Sequence, residues 1–548
     1  MKMLIRFKAI NRVTRFCLLL TIMIFSLTSP VGASECANKQ PQNQSISASG
    51  WGFDATNSRF ITGDVAKLAL ADVPKLKLKW AFSFPGANKV RSQPAITEDT
   101  LYIGSSDGTV YALDRETGCI RWEFEADWEV RTAISVAKIE GSEVTAVFFG
   151  DFRANAYAVN ADDGSLLWQY KVHDHIAATI TGAPKFHSNR LYVPVSSFEV
   201  ALPAVPVYPC CTFRGTVVAL DALTGKEIWR NFAGSEPVKQ GTNSLFINQY
   251  GPSGAPIWNS PTIDAKRNVL YVGTGENYSA PSNGESDAVL AFDLDTGELK
   301  WKNQFLAGDA WNIACVIPFG INCPKGEKGV DLDVGASPIL ARVGERDLLL
   351  VGQKSGQVYA LDPDQQGKII WQERVGRGGA LGGIHWGMAL DVDAGDGQLY
   401  VPISDYDYRI PGMSSPDEGR VEPRQPSLTA LDVATGKTLW KKIMQPICGD
   451  SDSCDPGLSA AVSAIPGVVF AGGLDGFLRA FDTSNGDLVW QVDTTLDVEG
   501  VNGVKGNGGA IDADGAVIVD GSVYINSGYG LFGTKSGNVL LVYSVDGK

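Results

Sequence analysis

The residues with chemistry to offer are the cysteines, a few histidines and a surplus of carboxylates. Of 9 cysteines, Cys17 falls in an N-terminal apolar run. Cys315 with Cys323, and Cys448 with Cys454, are close enough in sequence to staple local loops, which leaves Cys36 and Cys119 for each other. Cys210 and Cys211 are neighbours. A disulfide between them closes a strained ring, and the alternative is two separate bridges to cysteines elsewhere. No Cys-x-x-Cys-His occurs, so no c-type haem is attached to this chain. Only 4 histidines are present, which nearly excludes a site built from several of them. His385 is the one set in a Gly-rich, loop-like stretch, Gly378-Gly-Ala-Leu-Gly-Gly-Ile-His385-Trp386. Asp plus Glu number 61 against 47 Lys plus Arg, a formal charge of -14. An acidic chain without a basic cluster repels phosphates, which excludes nucleic-acid binding.

The elements that must position these residues form a repeat. Tyr111-Ala-Leu-Asp114-Arg-Glu-Thr-Gly118 leads to Trp122, and Val218-Ala-Leu-Asp221-Ala-Leu-Thr-Gly225 leads to Trp229. The pattern also leads to Trp168, Trp301, Trp371, Trp440 and Trp490. An alternating strand, a tight turn with Gly at positive φ and a second strand carrying Trp make a β-hairpin. With the apolar strands upstream, each repeat is a four-stranded propeller blade. Leu76-Lys-Leu-Lys-Trp80 has the outer strand without the turn. Val539-Leu-Leu-Val-Tyr543-Ser-Val-Asp546 has the strand and turn without the Trp. Together they supply an eighth blade from the two termini. The expected fold is all-β, an eight-bladed propeller with tryptophan docking over residues 51–548. Repeats in the middle of the chain exceed a bare blade, so long loops there build one face of the disc.

Residues 1–33 are expected to be an export signal. Lys2, Arg6, Lys8, Arg12 and Arg15 precede the apolar stretch Phe16 to Leu27, and Val31-Gly32-Ala33 offers a cleavage site. Residues 34–50 then form a short leading segment. The mature protein is expected in the periplasm or secreted, without stable membrane insertion, where disulfides persist.

The repeat resembles the tryptophan-docking motif of the pyrroloquinoline quinone (PQQ) dependent alcohol dehydrogenases. The closer likeness is to the branch acting on polyvinyl alcohol. It rests on Trp51-Gly-Phe-Asp54 with Asn57-Ser-Arg59-Phe, Leu76-Lys-Leu-Lys-Trp80-Ala-Phe, Cys210-Cys-Thr-Phe-Arg214-Gly and the His385 segment through Met388. The resemblance implies a cofactor site at the ring centre, with PQQ sandwiched and Ca²⁺ at its edge. Thr181 in Thr-Gly-Ala-Pro184 falls at a PQQ contact and Trp258 at a stacking position. Lys354 falls where a basic residue meets the quinone carbonyls. Glu199 and Glu276 fall at calcium positions, with Asn277 beside them. Calcium prefers such carboxylate and amide oxygens. Arg91, Arg131 and Arg214 are candidate clamps for the cofactor carboxylates. The family places a vicinal disulfide against one face of PQQ, which favours a Cys210–Cys211 bond near the cofactor.

The base departs from the family pattern. Where a methanol-oxidising relative has Asp-x-Trp-Asp, this chain has Asp309-Ala-Trp311-Asn312. Asn312 cannot take a proton, which leaves Asp309 and His385 as candidate bases. Leu458 stands where that branch has a Trp beneath the cofactor. Some relatives carry a cytochrome c domain. Here a separate acceptor, a cytochrome c, is implied, with an alcohol or a hydroxylated polymer as substrate. Two other readings are a PQQ dehydrogenase for another alcohol or sugar, and a non-enzymatic propeller scaffold that binds proteins.

Overall fold

The computed structural model describes residues 35–41, 44–327, 329–393, 397–406, 423–447, 453–530 and 533–548. The expected export signal and Cys448 lie outside them. Each hairpin forms as its residues dictate. Thr109–Asp114 pairs antiparallel with Ile120–Glu125, Ala112 opposite Trp122. The Asp114 carboxylate accepts from the Thr117 N–H at 2.9 Å and from the Thr117 hydroxyl at 2.8 Å, which closes the turn. Gly118 leaves the turn at φ 71°, where a side chain would be strained.

Eight antiparallel sheets with four-strand cores follow one another along the chain. Blade 1 spans 95–125, blade 2 135–171, blade 3 185–232, blade 4 262–304, blade 5 339–374, blade 6 389–443 and blade 7 463–493. Blade 8 takes its inner three strands from 517–545, and Leu76–Ser83 pairs with Val539–Val545 as its outer strand.

The blades are joined by tryptophan rings seated on glycines. Trp122 Nε1 donates to Ala161 O of the next blade at 3.0 Å, Trp168 to Ala222 O at 2.8 Å and Trp229 to Leu294 O at 3.0 Å. Trp371 and Trp440 do the same to Val433 O and Thr483 O. Each ring covers the turn glycine of the following blade. A Cβ on Gly297 would lie 2.4 Å from Trp229 Cε3, and one on Gly367 2.5 Å from Trp301 Cζ3. The glycine therefore serves two ends: a positive φ and a flat seat for the indole.

A ring of eight blades leaves an axial channel, and residues 50–61 cross it. The Gly50 N–H donates to Ile134 O, the Lys185 ammonium to Asp54 O, and the Asn57 amide to Ser260 O and Pro261 O. Leu340, Leu390 and Ala464 donate their N–H groups to Thr56, Ser58 and Arg59. These partners lie on or beside the innermost strands of blades 2 to 7. Arg59 is 1% exposed, and its guanidinium bonds Val462 O, Trp51 O, Gln93 Oε1 and Ser463 Oγ. The Trp51-to-Phe60 motif of the sequence is thus a plug.

Gly297→Ala is expected to lower stability by about 2–4 kcal/mol, the sum of positive-φ strain and a clash with the Trp229 ring. Gly141 has φ +80° but no neighbour within 4 Å, so Gly141→Ala should cost only about 1 kcal/mol. Urea denaturation of both variants checks the difference, and equal losses would remove the indole seat as its cause.

Candidate active site

Above the plug the channel opens into a cavity of about 510 Å³. Trp258 is in its wall, braced from behind. A Cβ on Gly335 would lie 2.0 Å from the indole, Trp386 meets the ring edge-on at 5.0 Å, and His385 does so at 5.7 Å. Trp386 in turn packs toward Trp51 of the plug, ring centroids 6.3 Å apart.

Beside Trp258 sit Glu276, Asp331 and Asp333, three buried carboxylates with oxygens within 4.8 Å of one another. Lys354 reaches Asp331 and Asp333 at 2.8 Å each. Asp333 is the hub. It accepts from the Glu276 N–H at 3.0 Å and from Trp258 Nε1 at 3.0 Å, and its backbone carbonyl takes the Lys354 N–H. The Gly-rich segment holds Lys354 from the other side, since Gly379 and Gly383 both donate to Lys354 O. Gly383 is obligatory there, because a Cβ would lie 2.4 Å from Gly356 N.

Burial and the charges of Asp333 and Asp331 push the Glu276 carboxyl well above the usual range. Burial also raises Asp331 well above its ordinary value, against the pull of Lys354. Burial disfavours the Lys354 ammonium, but Asp331, Asp333 and Glu276 outweigh it and hold the lysine charged. Three carboxylates face one cation. Such a set suits a hard cation with oxygen ligands, and this site could hold one.

The expected metal set was Glu199, Glu276 and Asn277, and the structure brings together a different one. Glu199 is fully buried and is not part of the cluster. Its oxygens accept from the N–H groups of Thr212 and Phe213 and from the Tyr208 hydroxyl at 2.8 Å. It shapes the loop after Cys211, with its lone pairs already used. The Asn277 side chain donates to Ser253 O and accepts from the Asn283 N–H, so it orders a loop. Asp331 and Asp333 were missed. They belong to no repeat, and the only signal was an Asp-x-Asp in a Gly-flanked loop.

Asp309, one candidate base, does not line the cavity. It accepts from the N–H groups of Val330 at 3.0 Å and Leu332 at 3.1 Å, and so fixes the turn carrying Asp331 and Asp333. Asn312 caps the 3₁₀ turn Ile313–Val316. His385, the other candidate, does line the cavity, as do Thr181, Arg91 and Arg131. Arg91 bonds Tyr529 at 2.7 Å and pairs with Glu129. Arg131 lies over the Phe152 ring and takes no hydrogen-bond or ion-pair partner among the described residues. Arg214 turns away, stacking on Phe232 at 4.0 Å and bonding Gly234 O. Cys210 and Cys211 are bonded to each other, but they are not in the cavity lining. They lie in a buried apolar cluster with Phe213 and Tyr278, and Tyr278 is in the cavity wall. Disulfides also join Cys36 to Cys119 and Cys315 to Cys323.

Three long loops build the mouth. Phe198, Val200 and Ala201 from one and Ile313 from another line the cavity. Asn322 ties them together. It donates to Pro203 O and Val205 O at 3.1 Å and accepts from Asn243 Nδ2 at 2.8 Å, on the hairpin formed by Val238–Thr242 and Asn248–Gly251. Segments 200–213, 240–263 and 310–324 contain no Asp, Glu, Lys or Arg. Their tips expose Phe246 (86%) and Phe319 (95%).

Residues 49–318 match the family model for the β-propeller domain of PQQ-dependent glucose, ethanol and alcohol dehydrogenases, and residues 285–546 match that of the outer membrane protein assembly factor BamB. The solved quinohemoprotein alcohol dehydrogenase of Comamonas testosteroni shares the fold. Its TM-score is 0.67 at 19% identity, covering 91% of this chain and 80% of that one. Fold and family models together define a β-propeller of the kind found in PQQ-dependent dehydrogenases. The chain is 38% identical over 541 residues to a polyvinylalcohol dehydrogenase of a Pseudomonas species, covering 95% of this chain and 81% of the relative. It is also 38% identical over 543 residues to that of Sphingopyxis strain 113P3, covering 95% and 80%. The chain belongs to the polyvinyl alcohol dehydrogenase family of PQQ-dependent alcohol dehydrogenases. No helix among the described residues is long and apolar enough to cross a membrane.

Glu199→Gln is expected to lower stability by about 2 kcal/mol, by turning an NH₂ toward backbone donors. It should leave metal affinity unchanged, whereas Asp333→Asn should weaken metal binding at least 10-fold. Denaturation and calorimetric Ca²⁺ titration separate the two. Loss of affinity in Glu199→Gln would return it to the metal site.

Proposed function

We propose that this enzyme oxidises secondary alcohol groups of polyvinyl alcohol or a related hydroxylated polymer. PQQ and a calcium ion would occupy the axial cavity, and electrons would pass to a separate periplasmic carrier, a cytochrome c. The observation that carries the reading is the Glu276–Asp331–Asp333–Lys354 cluster in the cavity wall.

The residues fit such a cofactor. PQQ is a flat tricarboxylate. Trp258 offers a flat apolar wall, Arg131, which has no hydrogen-bond or ion-pair partner among the described residues, a bidentate clamp for a carboxylate, and Thr181 a hydroxyl. Glu276 and Asp333 would hold the calcium, with Asp331 left beside them as the base. When bound, the quinone supplies the two-electron acceptor and the cation the Lewis acid that polarises it. The chain's own residues do the rest. Lys354 would offer positive charge to the group being reduced, and it holds Asp331 in a fixed pose. Asp331 lines the cavity and takes the hydroxyl proton. Asp309 positions it through the 330–332 backbone.

The loops at the mouth support a large neutral substrate. Charged side chains are 20% of the chain and absent from all three segments. A hydrocarbon chain with hydroxyls can lie on such a surface without desolvating charge.

Reconstitution with PQQ and Ca²⁺, followed by dye reduction, tests the reading. Turnover is expected with polyvinyl alcohol and small secondary alcohols, and less with primary ones. Turnover only with small alcohols would discard the polymer, and no PQQ binding would discard the site. Asp331→Asn should lower kcat about 10³-fold with PQQ still bound. Asp309→Asn should lower it about 10-fold with the pH profile unchanged, as suits a positioning residue. The reverse order would make Asp309 the base.

A further inference from the structure

In the cavity wall runs a hydrogen-bonded chain that the reaction above does not use. His385 Nδ1 lies 2.7 Å from Ser459 Oγ, and Ser459 Oγ donates to Asp512 Oδ1 at 2.6 Å. The three residues come from three separate loops, before blade 6, before blade 7 and between blades 7 and 8. All are buried. Asp512 Oδ1 also accepts from the Ala513 N–H at 2.8 Å.

A hydroxyl has a single proton. With that proton on the Asp512 bond, Ser459 Oγ can offer His385 only a lone pair. His385 Nδ1 must then carry the imidazole hydrogen, and Nε2 is left bare. Burial, reinforced by the charge of Lys354, pushes His385 down to about 3, so the ring is neutral in any ordinary buffer. The ring flanks Trp258 in the same cavity as Asp331 and Lys354. An alcohol being oxidised has one O–H, and that proton goes to Asp331. A bare imidazole nitrogen nearby therefore calls for a second donor.

We propose that Ser459 and Asp512 lock His385 in its Nδ1–H tautomer, and that His385 Nε2 accepts a hydrogen bond from a second, non-reacting hydroxyl of the substrate. This makes the site selective for chains with neighbouring hydroxyls over isolated secondary alcohols. The inference rests on reading the cavity as the alcohol site.

The lock is tested without turnover. In full-length protein with ¹⁵N-labelled histidine, the His385 signals, assigned by their loss in His385→Gln, should show a protonated Nδ1 and a bare Nε2. Asp512→Asn keeps a carbonyl oxygen for the Ala513 N–H and the Ser459 hydroxyl and should preserve this pattern. Asp512→Ala removes that acceptor, frees the Ser459 hydroxyl to donate to Nδ1 and should move the hydrogen to Nε2. Ser459→Ala, which removes no charge, should leave the tautomer unfixed, and Ser459→Thr should restore it. A wild-type Nε2–H signal would overturn the lock.

Selectivity is read on the reconstituted holoenzyme as kcat/KM for 2,4-pentanediol against 2-pentanol. The preference for the diol should fall about 10-fold in Ser459→Ala and Asp512→Ala, and persist in Ser459→Thr and Asp512→Asn. An unchanged preference in variants whose tautomer has moved would overturn the role of Nε2. Failure to oxidise any alcohol would instead overturn the reading of the cavity, while the lock would stand on the nitrogen signals alone.

Discussion

Three carboxylates and one ammonium are buried together at the centre of this ring. Isolated burial of any of these charges would cost several kcal/mol. The cluster is tolerable only with Lys354 at 2.8 Å from two of the carboxylates and with donors from the Glu276 backbone and the Trp258 indole on Asp333. It sets three carboxyls against one ammonium, and burial keeps Glu276 and Asp331 well above their ordinary range. Such an oxygen-rich set suits a hard cation. It also explains why so much of the surrounding loop structure serves to hold a few oxygens in place. Asp309 is spent on the 330–332 backbone, and two glycine N–H groups are spent on the Lys354 carbonyl.

The frame that holds the cluster is made elsewhere. Indoles seated on turn glycines fix the spacing of successive blades at the rim. Fixed blade spacing leaves a channel of set width on the axis. One end of it is filled by residues 50–61, whose polar groups pair with the inner strands of most of the blades. Trp51 of that plug supports Trp386, and Trp386 supports Trp258. The cavity wall thus has a rigid backing that runs down the axis, while the loops at the mouth are free to differ in composition. The acidic cluster and the uncharged loops at the mouth are in this way carried by different parts of the chain.

Cys210 and Cys211 are bonded to each other outside the cavity lining, in an apolar cluster with Tyr278, which is in the wall. Glu199, just upstream, spends its charge on the backbone that follows the cysteine pair. The disulfide and the glutamate together stiffen one loop of the mouth, next to the Asn322 knot that binds the other two.

The fold was legible in the sequence because its determinants are local. An Asp-x-x-Thr-Gly turn and a Trp on the next strand lie within a few residues of one another, and repetition made them visible. Trp258, Glu276, Lys354, Thr181, Arg131 and His385 could also be placed in the cavity, because short motifs fixed their positions. The acidic cluster could not be read. Whether a carboxylate is free to bind an ion depends on which N–H groups it meets, and those belong to distant loops. Glu199 meets the backbone of Thr212 and Phe213, Asn277 that of Asn283, and Asp309 that of Val330 and Leu332. Only Asp331 and Asp333, with no motif to mark them, reach the axis beside Glu276. By itself the sequence determined the blades, the closure of the ring and the family. The tertiary structure alone decided which acids keep their lone pairs for the site, because it sets the partners of each buried oxygen.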